Sequence, residues 1–217
     1  MKDFDVQKVV ETYYDATLLK YKVRTGWKYW NVSDVRRETV AEHIFGAQQL
    51  AWFIYSESGI ELDIFKVIAM LSLHETEEIH MPDFAPYDPI PPEEIKRMGK
   101  ESVEEALGGL KMFGMFDALI DEFDARETPE AKFAHLCDKL ECDMHVKRYS
   151  DGGYCNIEGR CEVVRNDPET QQIIANGAKT VAEVFMTHDE YRYKGTIFEE
   201  IAEFVKNYTV PVPIPEE

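Results

Sequence analysis

A chain of 217 residues with a formal net charge of −18 repels polyanions at long range, which argues against binding duplex DNA or RNA through a basic footprint. Its 44% hydrophobic and 30% charged residues are the ordinary mix of a globular chain, long enough for one buried core. A single domain over 1–217 is therefore expected. Apolar runs such as Val67 to Leu73 are too short to span a bilayer, and Met1-Lys2-Asp3-Phe4-Asp5 lacks the order of a secretory signal. A cytoplasmic protein with no membrane partner is the expectation. A small phosphorylated ligand stays compatible with the acidity, because a metal and a few local cations reverse the field inside a cleft.

Val6, Val9, Val10, Tyr13, Tyr14 and Leu18 recur at helical spacing and predict a helix over 5–20. From Tyr21 to Glu38 the pattern breaks around Gly26, as in a structured loop. Thr39 can cap a second helix reaching Ser58, and Asp63 a third over 64–79. The third is apolar nearly all round until His74, which predicts a central position. Five prolines between Pro82 and Pro92 forbid regular helix there. Further helices are expected over about 93–108, 114–126, 129–150, 167–187 and 196–208, with Thr128-Pro129 as a start signal. The tail from Pro211 to Pro215 reads as extended and exposed, and no alternation is strong enough for a sheet. The fold class is all-α.

Metal-capable residues fall on three of these helices: His43, then His74 and Glu75, then Asp138. Imidazole with carboxylate suits a divalent cation such as manganese, cobalt, iron, nickel or zinc, and helices can supply such ligands by projecting one or two each inward. Asp138 lies in the otherwise apolar stretch from Phe133 to Cys137, where a buried carboxylate needs a partner. Spacing alone leaves the bland alternatives open. His43 alone fits a core histidine, Glu77 and Glu78 a solvated helix end, and Asp138 with Lys139 and Glu141 an exposed charged face. A zincin site fails because Glu78 stands four after His74, and only Glu77 to His80 has the spacing of a di-iron bundle. Cys137, Cys142, Cys155 and Cys161 show no C-x-x-C spacing and read as reduced thiols, with a zinc site or a Cys155–Cys161 disulfide as the minor alternative.

Taken in order, several runs are similar to the 5′-deoxynucleotidase branch of the HD-domain superfamily. These are Arg24-Thr25-Gly26-Trp27, Glu38 to His43, Ala69 to Glu75 with Glu78-Ile79, Pro82 to Pro86, and Glu130 to Glu141. The resemblance spans roughly residues 20–150. It implies an HD-domain helical bundle with one divalent metal, Mn, Co, Mg, Ni, Fe or Zn, held by His43, His74, Glu75 and Asp138. It further implies that Glu78 assists catalysis, that Asp83 lies near the sugar, and that Arg24 and Trp27 reach the nucleotide, one for phosphate and one for packing. Relatives are commonly homodimers, and Tyr29, Trp30, Phe113 and Phe116 suit an interface or a core equally.

The implied activity is removal of phosphate from a (deoxy)nucleoside 5′-monophosphate, a small-molecule substrate and no nucleic-acid polymer. Two departures stand out. Glu75 occupies the position of the family's aspartate, and Pro82 that of the glycine usual before the later aspartate. Glutamate offers the same carboxylate on a longer stem, so ligation survives if the helix end shifts. The alternatives are a degenerate HD fold that binds nucleotides without turnover, and an HD phosphohydrolase for another phosphorylated substrate.

Overall fold

Side-chain caps decide where most helices of this chain begin. In the computed structural model, which describes residues 4–33 and 35–210, helix α1 spans Val6–Ala16 and Asp5 accepts from the Lys8 peptide N–H. A short α2 covers Thr25–Tyr29. Helix α3, Val40–Ser58, opens with a reciprocal capping box between Thr39 and Glu42 and closes at Gly59, whose φ of 66° favours glycine. Asp63 caps α4, Ile64–Leu73, through the N–H groups of Phe65 and Lys66. Then come α5, Pro92–Leu107, and α6, Phe113–Ala125. The long α7, Pro129–Asp151, starts where the Thr128 hydroxyl accepts from the Ala131 N–H. Four more follow: α8, Glu162–Asn166; α9, Pro168–Ala175; α10, Val181–Tyr193; and α11, Ile197–Asn207. Among the described residues there is no strand, only an isolated bridge between Val23 and Thr39, so the chain is all-α as expected. No helix among them is long and apolar enough to cross a membrane.

Several stretches differ from the sequence expectation, among them a short α8 where none was expected. The first helix tightens into a 3₁₀ turn over Thr17–Lys20. The segment expected as loop contains α2. The helix expected over 64–79 stops at Leu73 and resumes as a 3₁₀ turn, Thr76–Ile79. The one expected over 167–187 is broken into α9 and α10 at Gly177, whose φ of 118° no helix accommodates, and Thr180 caps the restart. Helix α4 is not central on all sides: Ile64, Val67, Met70 and Leu71 are buried, but Phe65 is 75% exposed. The proline tail lies outside the described residues. All four thiols are free, two of them buried, and no cysteine joins a metal-capable group among the described residues.

By internal contacts the chain falls into two units. The first comprises Met1–Val23, Thr39–Phe84 and Asp88–His135; the second comprises Arg24–Glu38, Ala85–Tyr87 and Leu136–Glu217. In the first, Leu19, Val40, Ile79, Ala106 and Leu107 form a core cluster against which Phe113 and Phe116 pack. In the second, Trp27, Trp30, Val146, Tyr149, Val164 and Val181 are buried together, with Tyr29 against them. All four aromatics left open between interface and core thus sit in or against a core.

The second unit buries a carboxylate whose charge is costly. Asp143 of α7 is fully buried, accepts from the Tyr193 hydroxyl at 2.8 Å, and leaves Oδ1 without a partner among the described residues. Burial first, then the neighbouring Asp189, push its pKa up to about 8, against partial relief from Tyr193, Lys139 and His188. The folded chain holds this proton to about pH 8, whereas the unfolded chain releases it near 3.8. The stability this group contributes is therefore fully present below pH 3.8 and lost as pH rises to about 8. Asp143→Asn keeps the neutral shape, so its melting temperature should gain on wild type steadily from about pH 5 to 8, the equivalent of about 4 kcal/mol. An advantage independent of pH would show that Asp143 is already ionised in the fold.

Candidate metal centre

The capping box at Thr39 fixes the first turn of α3 and with it His43, which is fully buried. Helix α4 ends one residue before His74, and the backbone then leaves helical values at Glu75, with φ −106° and ψ 17°. The three side chains converge. The Nε2 atoms of His43 and His74 lie 3.4 Å apart, and Glu75 Oε1 stands 3.6 Å from the first and 3.7 Å from the second. His74 Nδ1 lies 2.9 Å from the Leu71 carbonyl oxygen. A carbonyl only accepts, so Nδ1 carries the proton and the Nε2 lone pair faces His43 and Glu75. Two imidazoles and a carboxylate with donor atoms within 4.8 Å of one another match the ligand chemistry of a divalent transition metal. Glutamate's longer stem reaches both imidazoles because the helix has already ended.

Beyond this trio the main chain of the first unit is held tightly. Ser102 of α5 donates its hydroxyl to the Glu77 carbonyl and accepts from the His80 N–H at 3.1 Å. The Lys22 ammonium donates to the carbonyls of Glu78 and Met81, the latter at 2.6 Å. Burial lowers the Lys22 pKa, partly offset by the fields of Glu78 and Asp83. Glu78 itself is buried, on the 3₁₀ turn, and Asp83 is half-buried four residues past its end. Burial also raises the Glu77 carboxyl to about 7, with Asp124 and Glu75 adding to the shift.

The other residues expected to act lie in the second unit. Asp138 is buried on α7, 3.0 Å from Lys139 Nζ, and Glu141 is buried one turn on, so this is no exposed charged face. Arg24 stands just before α2 without a side-chain cap bond, and its peptide N–H donates to the Glu38 carbonyl at 3.1 Å. Trp27 has a core setting: it is 1% exposed, edge-on to Tyr149 and stacked on Phe185. Its indole N–H donates to Glu38 Oε2 at 3.1 Å, and His145 Nδ1 lies 3.3 Å from the other Glu38 oxygen and 3.8 Å from Glu141 Oε1. The Glu38–Glu141–His145 group was missed in the sequence, though Glu141 and His145 stand three and seven after Asp138 on one helix face. Lys22 and Ser102 carry no spacing signal at all.

An all-helical chain that brings two histidines and a neighbouring carboxylate to one point belongs to a definite class. This chain is a member of the HD domain family, whose model matches residues 16–181. It is 29% identical over 135 residues to human "5′-deoxynucleotidase HDDC2", a match covering 61% of this chain and 64% of that one. It is 30% identical over 139 residues to the Dictyostelium discoideum protein of the same name, covering 60% and 72%. The chain thus spans somewhat under two thirds of the human relative it matches. In fold it is similar to a predicted metal-dependent phosphohydrolase from Magnetospirillum magnetotacticum, with TM-score 0.64, 21% identity, and 93% and 91% of the two chains covered. A conserved hypothetical protein from Pyrococcus furiosus gives TM-score 0.61 at 19% identity, covering 92% and 99%.

The indole N–H on a buried carboxylate defines one outcome. Trp27→Phe should lower the unfolding free energy by about 1–3 kcal/mol in urea denaturation followed by circular dichroism, because a hydrogen bond to a charged group is lost. An unchanged midpoint would mean that Glu38 finds its stabilisation elsewhere.

Proposed function

We propose that this protein is a metal-dependent phosphoric monoester hydrolase acting on (deoxy)nucleoside 5′-monophosphates. The convergence of His43, His74 and Glu75, with the His74 proton fixed on Nδ1, carries the reading. Asp138 is the proposed fourth ligand. In support, it is buried on α7 three residues after His135, so the two share a helix face, and the His135 ring packs on Phe123, which also meets the His74 ring. Bound there, a divalent cation would polarise the phosphoryl group and lower the pKa of a coordinated water. The names of the relatives, all 5′-deoxynucleotidases, supply the substrate class.

The chain's own residues then have distinct tasks. Arg24 neutralises phosphate charge with a planar donor fork suited to phosphate oxygens. Glu78 orients the attacking water or protonates the leaving oxygen. Asp83 meets the sugar. Trp27 serves the nucleotide indirectly: from the core it holds Glu38 and the short helix that Arg24 begins. The reach of Glu75 to both imidazoles favours hydrolysis over a binding module without turnover. The homodimer implied by the family resemblance and the cytoplasmic setting expected from the sequence go with this reading.

Metal-stripped protein should release no phosphate from deoxynucleoside monophosphates, and manganese, cobalt or magnesium added singly should restore release. Failure with every metal, from folded protein, would sink the hydrolase reading for this substrate class. In the restored enzyme Glu78→Ala should cut kcat by about a hundredfold or more while bound metal stays within about twofold. Parallel loss of both would make Glu78 a ligand.

A further inference from the structure

Between Glu77 and Met81 the main chain is tied by two side chains, and one of them carries a charge. Ser102 holds the Glu77 carbonyl and the His80 N–H, while Lys22 holds the carbonyls of Glu78 and Met81. The Lys22 carbonyl in turn accepts from the Val40 N–H at 2.8 Å, at the start of α3 and three residues before His43. One residue thus joins the helix that carries His43 to the segment that carries Glu78 and Asp83.

A water, with two O–H donors, would satisfy two carbonyls at lower cost. A half-buried lysine gives up hydration and side-chain freedom. What it adds is a positive charge, and Glu78 and Asp83 are the acidic groups whose fields reach it. Two carboxylates on one segment repel an incoming phosphate, unless a cation stands behind them.

We propose that Lys22 is a positioning residue for the Glu78–Asp83 segment, fixing its main chain through two carbonyls and supplying the counter-charge for both carboxylates. This rests on the hydrolase reading given above. Lys22 touches no reacting atom; it acts through Glu78 and Asp83, so its loss falls on turnover more than on substrate affinity or metal.

The test compares Lys22→Met, Lys22→Gln and Lys22→Arg in the full chain loaded with manganese. Amide hydrogen exchange is read over residues 76–83, along with metal content, kcat and KM for a deoxynucleoside monophosphate. Lys22→Met should exchange about tenfold faster across that segment and keep its manganese. Its kcat should fall about tenfold or more with KM within about threefold, since small misplacements at a reacting centre cost rate steeply. Lys22→Arg should recover most of both losses. Lys22→Gln, which keeps a donor without the charge and serves if the methionine variant does not fold, should recover exchange protection but not kcat. Unchanged exchange in Lys22→Met, a kcat loss that merely tracks metal loss, or full recovery of kcat by Lys22→Gln would each overturn the proposal. Wild-type protein that releases no phosphate with any metal would defeat the hydrolase reading, while the exchange data would still decide whether Lys22 holds the segment.

Discussion

Consecutive residues of an α-helix point about 100° apart, so His74 and Glu75 could not meet at one point on a continuous helix. The chain solves this by stopping α4 at Leu73. At the last turn of α4 the Leu71 carbonyl receives the His74 ring proton. Helix termination, ring tautomer and the approach of Glu75 to His43 thus fall within one turn of the chain. Whatever metal chemistry the centre performs depends on that event, and the tight 3₁₀ turn carrying Glu78 follows directly from it.

Much of this architecture was legible in the sequence, for identifiable reasons. Thr39, Asp63 and Thr128 were read as starts because their oxygens satisfy orphan N–H groups, and all three do so. The break at Gly177 was missed because apolar spacing continues through it; only the backbone reveals the positive φ. Stopping α4 at Leu73 was missed for a related reason. Nothing in the residues from His74 to Ile79 forbids helix, and the competing interaction is a ring nitrogen finding a carbonyl three residues back.

The candidate site divides along the same line. His43, His74, Glu75 and Glu78 were readable through family resemblance, since their types and order carry it. Lys22 and Ser102 were not, because any polar side chain of adequate reach could satisfy a main-chain carbonyl. Trp27 occupies a middle position: its presence was readable, but its contacts with Tyr149, Phe185 and Glu38 required the fold. The charge of −18 likewise says little until located, for only a few of the acidic groups stand beside Lys22, Lys139 and His145.

The early stop of α4 has a further consequence. The centre is exposed to changes at residues that never touch a ligand atom. Thr76 is β-branched, a weak helix former, and buried just past the turn. A stronger helix former there would favour one more turn of α4, rotating Glu75 away from His43. Sequence drift could therefore silence such a centre with every metal-binding side chain intact, and counting ligands in a relative would not reveal the loss.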